Sequence, residues 1–169
     1  MRSHFSGGWV GLVLLAAVLA APLAAQNSDQ MSYAAVASTK FGALPVLPAC
    51  MTFAAQRGDP TKGAAVLLLK AKSGCVIPWH WHTANENLMM VSGKGKAEMK
   101  SGGSHMMTAG DYMFLPSKQG HQFTCMTSCL LFDQTDAAFD IHYINADGKE
   151  ITPEEALKPK AKPAAAKKP

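Results

Sequence analysis

The stretch that decides the fold is "GCVIPWHWHTANENLMMVSG", residues 74–93. Two apolar segments, bounded by glycine, flank the turn-forming residues "TAN", a pattern typical of two β-strands. Side chains alternate between the faces of a strand, so His80 and His82 share one face and Trp81 points to the other. Glu86 opens the second strand and returns to the same end of the sheet. The stretch therefore predicts two imidazoles and a carboxylate close together.

This group of side chains has the composition of a transition-metal site. His80 and His82 lie about 6.6 Å apart along a strand, close enough to grip one ion. Imidazole suits Zn, Cu, Fe or Ni, and a carboxylate adds Mn to that set. A third imidazole is available at His121, which begins a later strand after "PSKQG". Paired histidines on a strand are also common on protein surfaces, so a strand with two metal-free imidazoles remains the alternative.

The rest of the chain is also rich in strand patterns. Apolar runs separated by Gly, Pro, Ser and Asp turns predict further strands in "GAAVLLLKAK", "HMMTAGDYMFLP", "HQFTC", "CLLFDQ" and "FDIHYI". We expect "HQFTC" and "CLLFDQ" to form a hairpin. Only "TPEEAL" resembles a helix start, with Thr152 as cap and Pro153 at the first helical position. Many short strands at regular spacing predict an all-β sandwich or barrel.

The motif around the histidines resembles the first motif of the cupins. That motif is Gly, five residues, His-x-His, three or four residues, Glu, six residues, Gly. Its positions are filled here by Gly74, His80, His82, Glu86 and Gly93. The resemblance covers roughly residues 44 to 145 and implies a small jelly-roll β-barrel, also called a double-stranded β-helix. It also implies that His80, His82, Glu86 and His121 bind one divalent metal, with a coordination position left open for a small-molecule ligand.

A second cupin motif follows, with two departures. Gly110, Pro116 and His121 match it in register. Lys118 stands where the motif has a turn glycine, and Cys125 stands where it has asparagine. We expect Gly120 to supply the flexibility that the turn needs. The asparagine is not a metal ligand in the family, so its replacement leaves the metal prediction intact.

The four cysteines allow three disulfide pairings. Cys125 and Cys129 flank the three-residue stretch "MTS", which resembles a hairpin turn and would place them opposite each other on two strands. The remaining pair would then be Cys50 and Cys75. Four buried free thiols are the alternative.

The two ends of the chain differ from the middle in composition. Residues 1–25 have the pattern of a secretory signal peptide, which predicts a secreted or periplasmic protein; an uncleaved membrane anchor is the alternative. Residues 26–43 are an N-terminal arm, 44–157 the barrel, and 158–169 a Lys/Pro/Ala tail expected to be disordered. Without the signal and tail, ten basic and twelve acidic side chains remain, net −2. The pI of 8.9 therefore describes the tail, and we expect no nucleic-acid partner and no membrane span after signal cleavage.

The sequence supports two classes of function. One is a metal-dependent enzyme, an oxygenase, isomerase or hydrolase acting on a small organic molecule. The other is a non-catalytic module that senses or sequesters a metal or small ligand. Tyr112 and Gln119 are the nearest candidates for a further acid or base. His105 and His142 lack a spaced partner and are interpreted as ordinary surface and strand residues.

Trp81 is expected on the outside of the barrel, where a large aromatic side chain is normally covered. The N-terminal arm or a second subunit would supply that cover. A homodimer is therefore among the expected partners.

Overall fold

The computed structural model describes residues 31–159. The predicted signal, residues 1–25, and residues 160–169 of the predicted tail lie outside this range. Contacts divide the chain into two units, Met1–Tyr33 and Ala34–Pro169. All of the strands belong to the second unit.

Among the described residues, the second unit contains ten strands, one 3₁₀ helix and one short α-helix. In chain order the strands are β1 (Met51–Arg57), β2 (Ala65–Ala71), β3 (Val76–Trp81), β4 (Glu86–Ser92), β5 (Lys94–Met99), β6 (Ser104–Thr108), β7 (Tyr112–Leu115), β8 (His121–Cys125), β9 (Cys129–Thr135) and β10 (His142–Tyr143). A 3₁₀ helix, Val36–Ser38, precedes them and helix α1, Pro153–Ala156, follows. Thr152 caps α1 in a reciprocal capping box with Glu155, as the sequence predicts.

The strands form two antiparallel five-stranded sheets. The first has the order β1-β2-β9-β4-β7 and the second the order β10-β3-β8-β5-β6. The apolar core lies between them and includes Leu67, Leu69, Leu88 and Leu131 of the first sheet and Phe123 of the second. The prediction of an all-β jelly-roll fold is confirmed.

The predicted hairpin of β8 and β9 is wrong. β8 pairs with β3 and β5, whereas β9 pairs with β2 and β4 in the other sheet. The chain turns a corner between the sheets after Cys125 and again at Gly93, between β4 and β5. Gly93 has φ 91°, and a Cβ there would lie 2.1 Å from the Ser128 carbonyl oxygen. A residue with a side chain would clash at this point, where the two corners meet.

β3 changes which residues face the core partway along its length. Its pairing with β8 is regular at Ile77 and again at His80, with a register shift between them. Ile77 and His80 are both buried although they are three residues apart. A bulge at Pro78 and Trp79 therefore resets the alternation and brings His80 and His82 to the inner face.

Trp81 is covered in a way that the sequence did not suggest. The ring of His142, its partner across β3 and β10, stacks on it with centroids 3.9 Å apart and planes 3° apart. His142 thus covers one face of the Trp81 ring, and cover by the N-terminal arm or a second subunit stays a prediction. The homodimer stays a prediction.

The cysteines lie in two pairs at disulfide distance. The Cα atoms of Cys50 and Cys75 are 5.6 Å apart, and those of Cys125 and Cys129 are 5.8 Å apart. The second pair spans the corner between the sheets rather than a hairpin. Two such pairs indicate an oxidising environment. Within residues 31–159, no helix is long and apolar enough to cross a membrane.

Candidate metal centre

Three buried histidines converge between the sheets. His80 on β3 pairs directly with His121 at the start of β8, and His82 follows the end of β3. The ring centroid of His80 lies 4.1 Å from that of His121 and 4.8 Å from that of His82. One nitrogen from each ring lies within 4.8 Å of the others. The three histidines are thus positioned to hold a metal ion.

The backbone fixes the tautomer of all three rings. His80 Nδ1 donates to the Pro78 carbonyl at 2.6 Å, and His121 Nδ1 donates to the Gln119 carbonyl at 2.8 Å. His82 Nδ1 donates to the Asp140 carbonyl. A carbonyl only accepts, so each Nδ1 carries the proton and each Nε2 keeps its lone pair. Hydrogen bonds of this kind orient and tune histidines that ligate metals.

Glu86 faces two of these rings from the opposite sheet. It is the first residue of β4, and its side chain is buried. Its Oε1 lies 3.3 Å from His82 Nε2, and its Oε2 lies 3.5 Å from His121 Nε2. The structure therefore brings all four predicted residues, from both sheets, to one place.

Burial sets the protonation of the site. It holds the pKa of His80 well below 6.5, with the nearby His121 and His82 adding to the effect. It also lowers the pKa of His82 to about 4 and lowers that of His121. Burial raises the pKa of Glu86, and the neighbouring carboxyl of Asp133 raises it further. At neutral pH the imidazoles are neutral, which is the form that binds metals.

Asp133 is a site residue that sequence reasoning missed. It lies on β9, is 2 % exposed and lines the same cavity as Glu86. Burial raises its pKa above the usual range of a carboxyl. Alternation along "CLLFDQT" carries the signal, because Leu131, Asp133 and Thr135 share one face of the strand. Alternation from Leu131 therefore predicts that the carboxyl of Asp133 faces the core.

The site lines a small, largely apolar cavity of about 30 Å³. Besides the polar residues, its walls include Phe139 and Ile141. Both belong to residues 136–141, here named the cap segment. The Phe139 ring lies 5.2 Å from the His82 ring. A space of this size holds an ion and about one or two waters, but no larger organic molecule.

The cap segment is fastened to the turn that carries His82. Asp140 accepts from the Thr83 amide at 2.8 Å, and Asp136 accepts from the Asn85 amide at 2.9 Å. The Phe139 amide donates to the Pro60 carbonyl at 2.8 Å. The sequence did not predict that the cap segment covers the cavity, because this segment is irregular and contacts residues more than fifty positions away.

The loop before His121 does not turn at Gly120, contrary to the expectation from the sequence. Lys118 itself takes the left-handed conformation, with φ 62°, and it is the one non-glycine residue with positive φ within 31–159. Gly120 does not have a positive φ, so it does not supply the turn. The Lys118 amide donates to the His82 carbonyl at 2.8 Å. The lysine therefore bears the strain that keeps this loop beside the site.

Other candidates from the sequence lie away from the cavity. Tyr112 is 61 % exposed and donates to Asn87. The Gln119 side chain donates to Ser101, and only its backbone carbonyl reaches His121. His105 is exposed. None of the three lines the cavity around the histidines.

The donor set fits a divalent transition metal. Three neutral imidazoles with free Nε2 atoms and one carboxyl group match the ligands that such ions prefer. Cys125 lies at the far end of β8 from His121 and is paired with Cys129. The arrangement defines a jelly-roll barrel in which three buried histidines are positioned to hold a metal ion.

Comparison with known proteins places this barrel in a family. Residues 67–133 match the family described as cupin domain, and the chain contains a cupin domain. No curated protein matches the sequence.

Several solved structures share the fold. The polyketide cyclase RemF from Streptomyces resistomycificus has a TM-score of 0.59 and 13 % identity, over 76 % of this chain and 99 % of its own. An RmlC-like cupin from Shewanella frigidimarina has a TM-score of 0.54 and 16 % identity, over 64 % and 92 %. KdgF from Halomonas sp. has a TM-score of 0.54 and 16 % identity, over 63 % and 94 %. At these identities the likeness concerns the fold alone.

Proposed function

We propose that this chain is an exported metal-binding cupin with a single barrel. His80, His82, His121 and Glu86 hold one divalent transition ion, Fe, Mn, Zn, Ni or Cu, and a small molecule binds at the ion's open position. The observation that carries the proposal is the set of three Nδ1–H bonds to backbone carbonyls. They leave three Nε2 lone pairs facing one buried point beside Glu86.

The donor groups around that point suit a cation. The imidazoles are kept neutral by burial, and Glu86 contributes one carboxyl group. When bound, an ion of this kind polarises an oxygen of its ligand. The chain's own residues orient the donors and exclude bulk water, because the cavity is small and lined mostly by apolar side chains.

Export is supported by two features of the sequence and structure. Residues 1–25 have the pattern of a signal peptide. Both cysteine pairs lie at disulfide distance, which suits a secreted or periplasmic protein.

The test of the metal site is metal per chain, measured by plasma emission spectroscopy on protein produced with all five metals supplied. We expect about one ion per wild-type chain. His82→Ala removes one of only three imidazoles, so its metal content should fall to background. His105→Ala, which alters an exposed histidine outside the cavity, is the matched control and should keep the wild-type content. Full metal in His82→Ala, or none in wild type, would sink the proposal.

A non-catalytic module that senses or sequesters the ion is the second candidate. The observation that favours it is the small, largely apolar cavity, whose volume of about 30 Å³ leaves no room for a larger organic substrate. One of the similar structures is named a polyketide cyclase, but one fold hosts many activities, so this likeness does not decide the matter.

Phe139→Ala distinguishes the two candidates. The cobalt-loaded protein is titrated with azide, acetate and benzoate while its visible spectrum is recorded. If the open position serves small molecules, wild type should respond to azide or acetate, and Phe139→Ala should also admit benzoate. Phe132→Ala is the control, because Phe132 lies on the opposite face of β9 from Asp133. No response in either protein favours the non-catalytic module.

A further inference from the structure

We propose that the protein carries a second binding site, for a small carboxylic acid with an apolar body, in a groove on the outer face of the second sheet. This outer groove lies between strands β3 and β8 and helix α1, and its lining includes Val76, Pro78, Trp79, Lys100, Gln122 and Leu157. Its volume of about 650 Å³ is in the range of small-molecule sites. None of the described residues that line it also lines the metal cavity, so this inference does not rest on the proposed function.

Strand alternation places the outer groove and the metal centre on opposite faces of the same strands. On β8, Gln122 follows the buried His121 and points outward into the groove. On β3, Val76 and Pro78 flank the buried Ile77 in the same way. The floor of the groove is therefore mostly apolar with a side-chain amide at one side, a composition typical of small-molecule sites.

The ammonium group of Lys100 projects over this floor and is held there. Lys100 Nζ donates to the Ala146 carbonyl at 2.6 Å and lies 5.3 Å from the centre of the Trp79 ring, within cation–π distance. The Lys100 amide donates to the Gly120 carbonyl at 2.7 Å. A Cβ on Gly120 would lie 3.1 Å from Lys100 Cβ, so the glycine leaves space for the lysine stem. Fixing a lysine side chain costs conformational entropy, and here the fold has met that cost before a ligand binds.

The charged side chains of the outer groove suit an anion. Lys100 uses one of its three N–H donors on Ala146, which leaves two for a ligand. Lys158 is a second cation on the lining. The carboxylate of Glu155, which also lines the groove, already accepts from the Thr152 amide at 3.1 Å. A ligand carboxylate can therefore accept from Lys100 while its apolar body packs on the floor.

The test compares two probes of the same shape. 2-Naphthoate carries a carboxylate, and 2-naphthamide carries a neutral amide in its place. Both are too large for the cavity of about 30 Å³ at the metal centre. Titration calorimetry on the purified exported protein should show saturable binding of one naphthoate per chain. Naphthamide should bind about tenfold more weakly or worse, because a hydrogen bond to a charged acceptor is stronger than one to a neutral acceptor.

Lys100→Gln tests the role of the ammonium group. It should weaken naphthoate binding by about tenfold or more and leave naphthamide within about threefold of wild type, which removes the preference for the carboxylate. A lysine that only ties Ala146 to the sheet would not change that preference. Lys62→Gln alters an exposed lysine that pairs with Asp59 outside the groove, and this matched control should bind both probes as wild type does. His82→Ala should also keep wild-type affinity for naphthoate.

Three results would overturn the inference: no saturable binding of naphthoate to wild type, equal affinity of wild type for the two probes, or wild-type naphthoate affinity in Lys100→Gln. A thermal melt followed by circular dichroism reports whether Lys100→Gln folds. If it does not fold, the comparison of the two probes on wild type still decides. Loss of naphthoate binding in folded His82→Ala would also overturn a site separate from the metal centre. Absence of metal in wild type contradicts the proposed function instead.

Discussion

Strands β8 and β9 carry a cysteine at one end and a polar site residue at the other. β8 runs from His121 to Cys125, and β9 runs from Cys129 to Asp133 and Thr135. The Cys75 carbonyl, just before β3, accepts a hydrogen bond from the Cys125 amide, whereas His80 lies further along β3. The barrel interior therefore has a cysteine end and a polar end, formed by inward-facing residues at opposite ends of the same two strands.

The two ends make opposite contributions to the folded state. At the cysteine end, side chains pair with each other in apolar surroundings. At the polar end, three imidazoles and two carboxyls are taken out of water, and Asp133 Oδ1 has no hydrogen-bond partner within residues 31–159. Buried polar groups of this kind cost stability and are tolerated where function requires them. The cysteine end thus stabilises a fold whose polar end carries the proposed metal site.

The largest effect is expected from pH at the polar end of the metal-free protein. Carboxyls whose pKa is raised by folding stabilise the protein below about pH 4, and that stability is lost as pH rises towards neutral. Histidines whose pKa is lowered act in the opposite direction, and their contribution is lost as pH falls from 6.5 to about 4. Asp133→Leu removes one of the carboxyls. The unfolding free energy of Asp133→Leu minus that of wild type, measured in urea, should therefore increase steadily as pH rises from 4 to neutral.

Phe132→Leu, on the opposite face of β9 from Asp133, is the control because it removes no titratable group, and its stability difference from wild type should not change with pH. A constant difference between Asp133→Leu and wild type would contradict the assigned pKa direction of Asp133.

A smaller effect is expected at the cysteine end. Replacing Cys50 and Cys75 with serine opens a loop of 25 residues, which should lower the unfolding free energy by about 3 kcal/mol. The Cys125 and Cys129 pair closes a loop of four, so its removal should cost less, about 2 kcal/mol. Metal content should be unchanged in both double variants. Alkylation of all four thiols in unreduced protein would show that neither disulfide forms.

The smallest effect concerns the loop between the ends. Lys118→Gly relieves the left-handed backbone and should raise the unfolding free energy by about 1 kcal/mol. Lys118→Ala keeps a Cβ in that conformation and should remain near wild type. Equal stability of the glycine and alanine variants would show that the loop bears no strain at this position.

Local patterns predicted much of the site because strand alternation is local. The shared face of His80 and His82 follows from two-residue periodicity, and Asp133 obeys the same rule from Leu131. The bulge at Pro78 and Trp79 is invisible in that periodicity, yet it decides which residues of β3 face inward. The shared face of His80 and His82 could still be predicted, because both residues lie on the same side of the bulge.

Long-range pairing explains the errors. A turn-like stretch such as "MTS" shows that the chain changes direction but not which sheet the next strand joins, so β8 and β9 were assigned to one hairpin. The cover over Trp81 comes from His142, which is sixty-one positions away. The closure of the cavity by Phe139 likewise depends on hydrogen bonds between distant segments.

His82 belongs to the metal centre and to the cap segment at once. Its Nδ1 holds the Asp140 carbonyl, and its Nε2 faces Glu86. Opening of the cap segment would break the bond that orients one of the three imidazoles, so an ion at the proposed site would bind less tightly to an open barrel than to the observed one. By reciprocity, the bound ion would favour the observed position of the cap segment by the same factor. Hydrogen exchange of the amides in residues 136–141 would then slow when the site is loaded with metal.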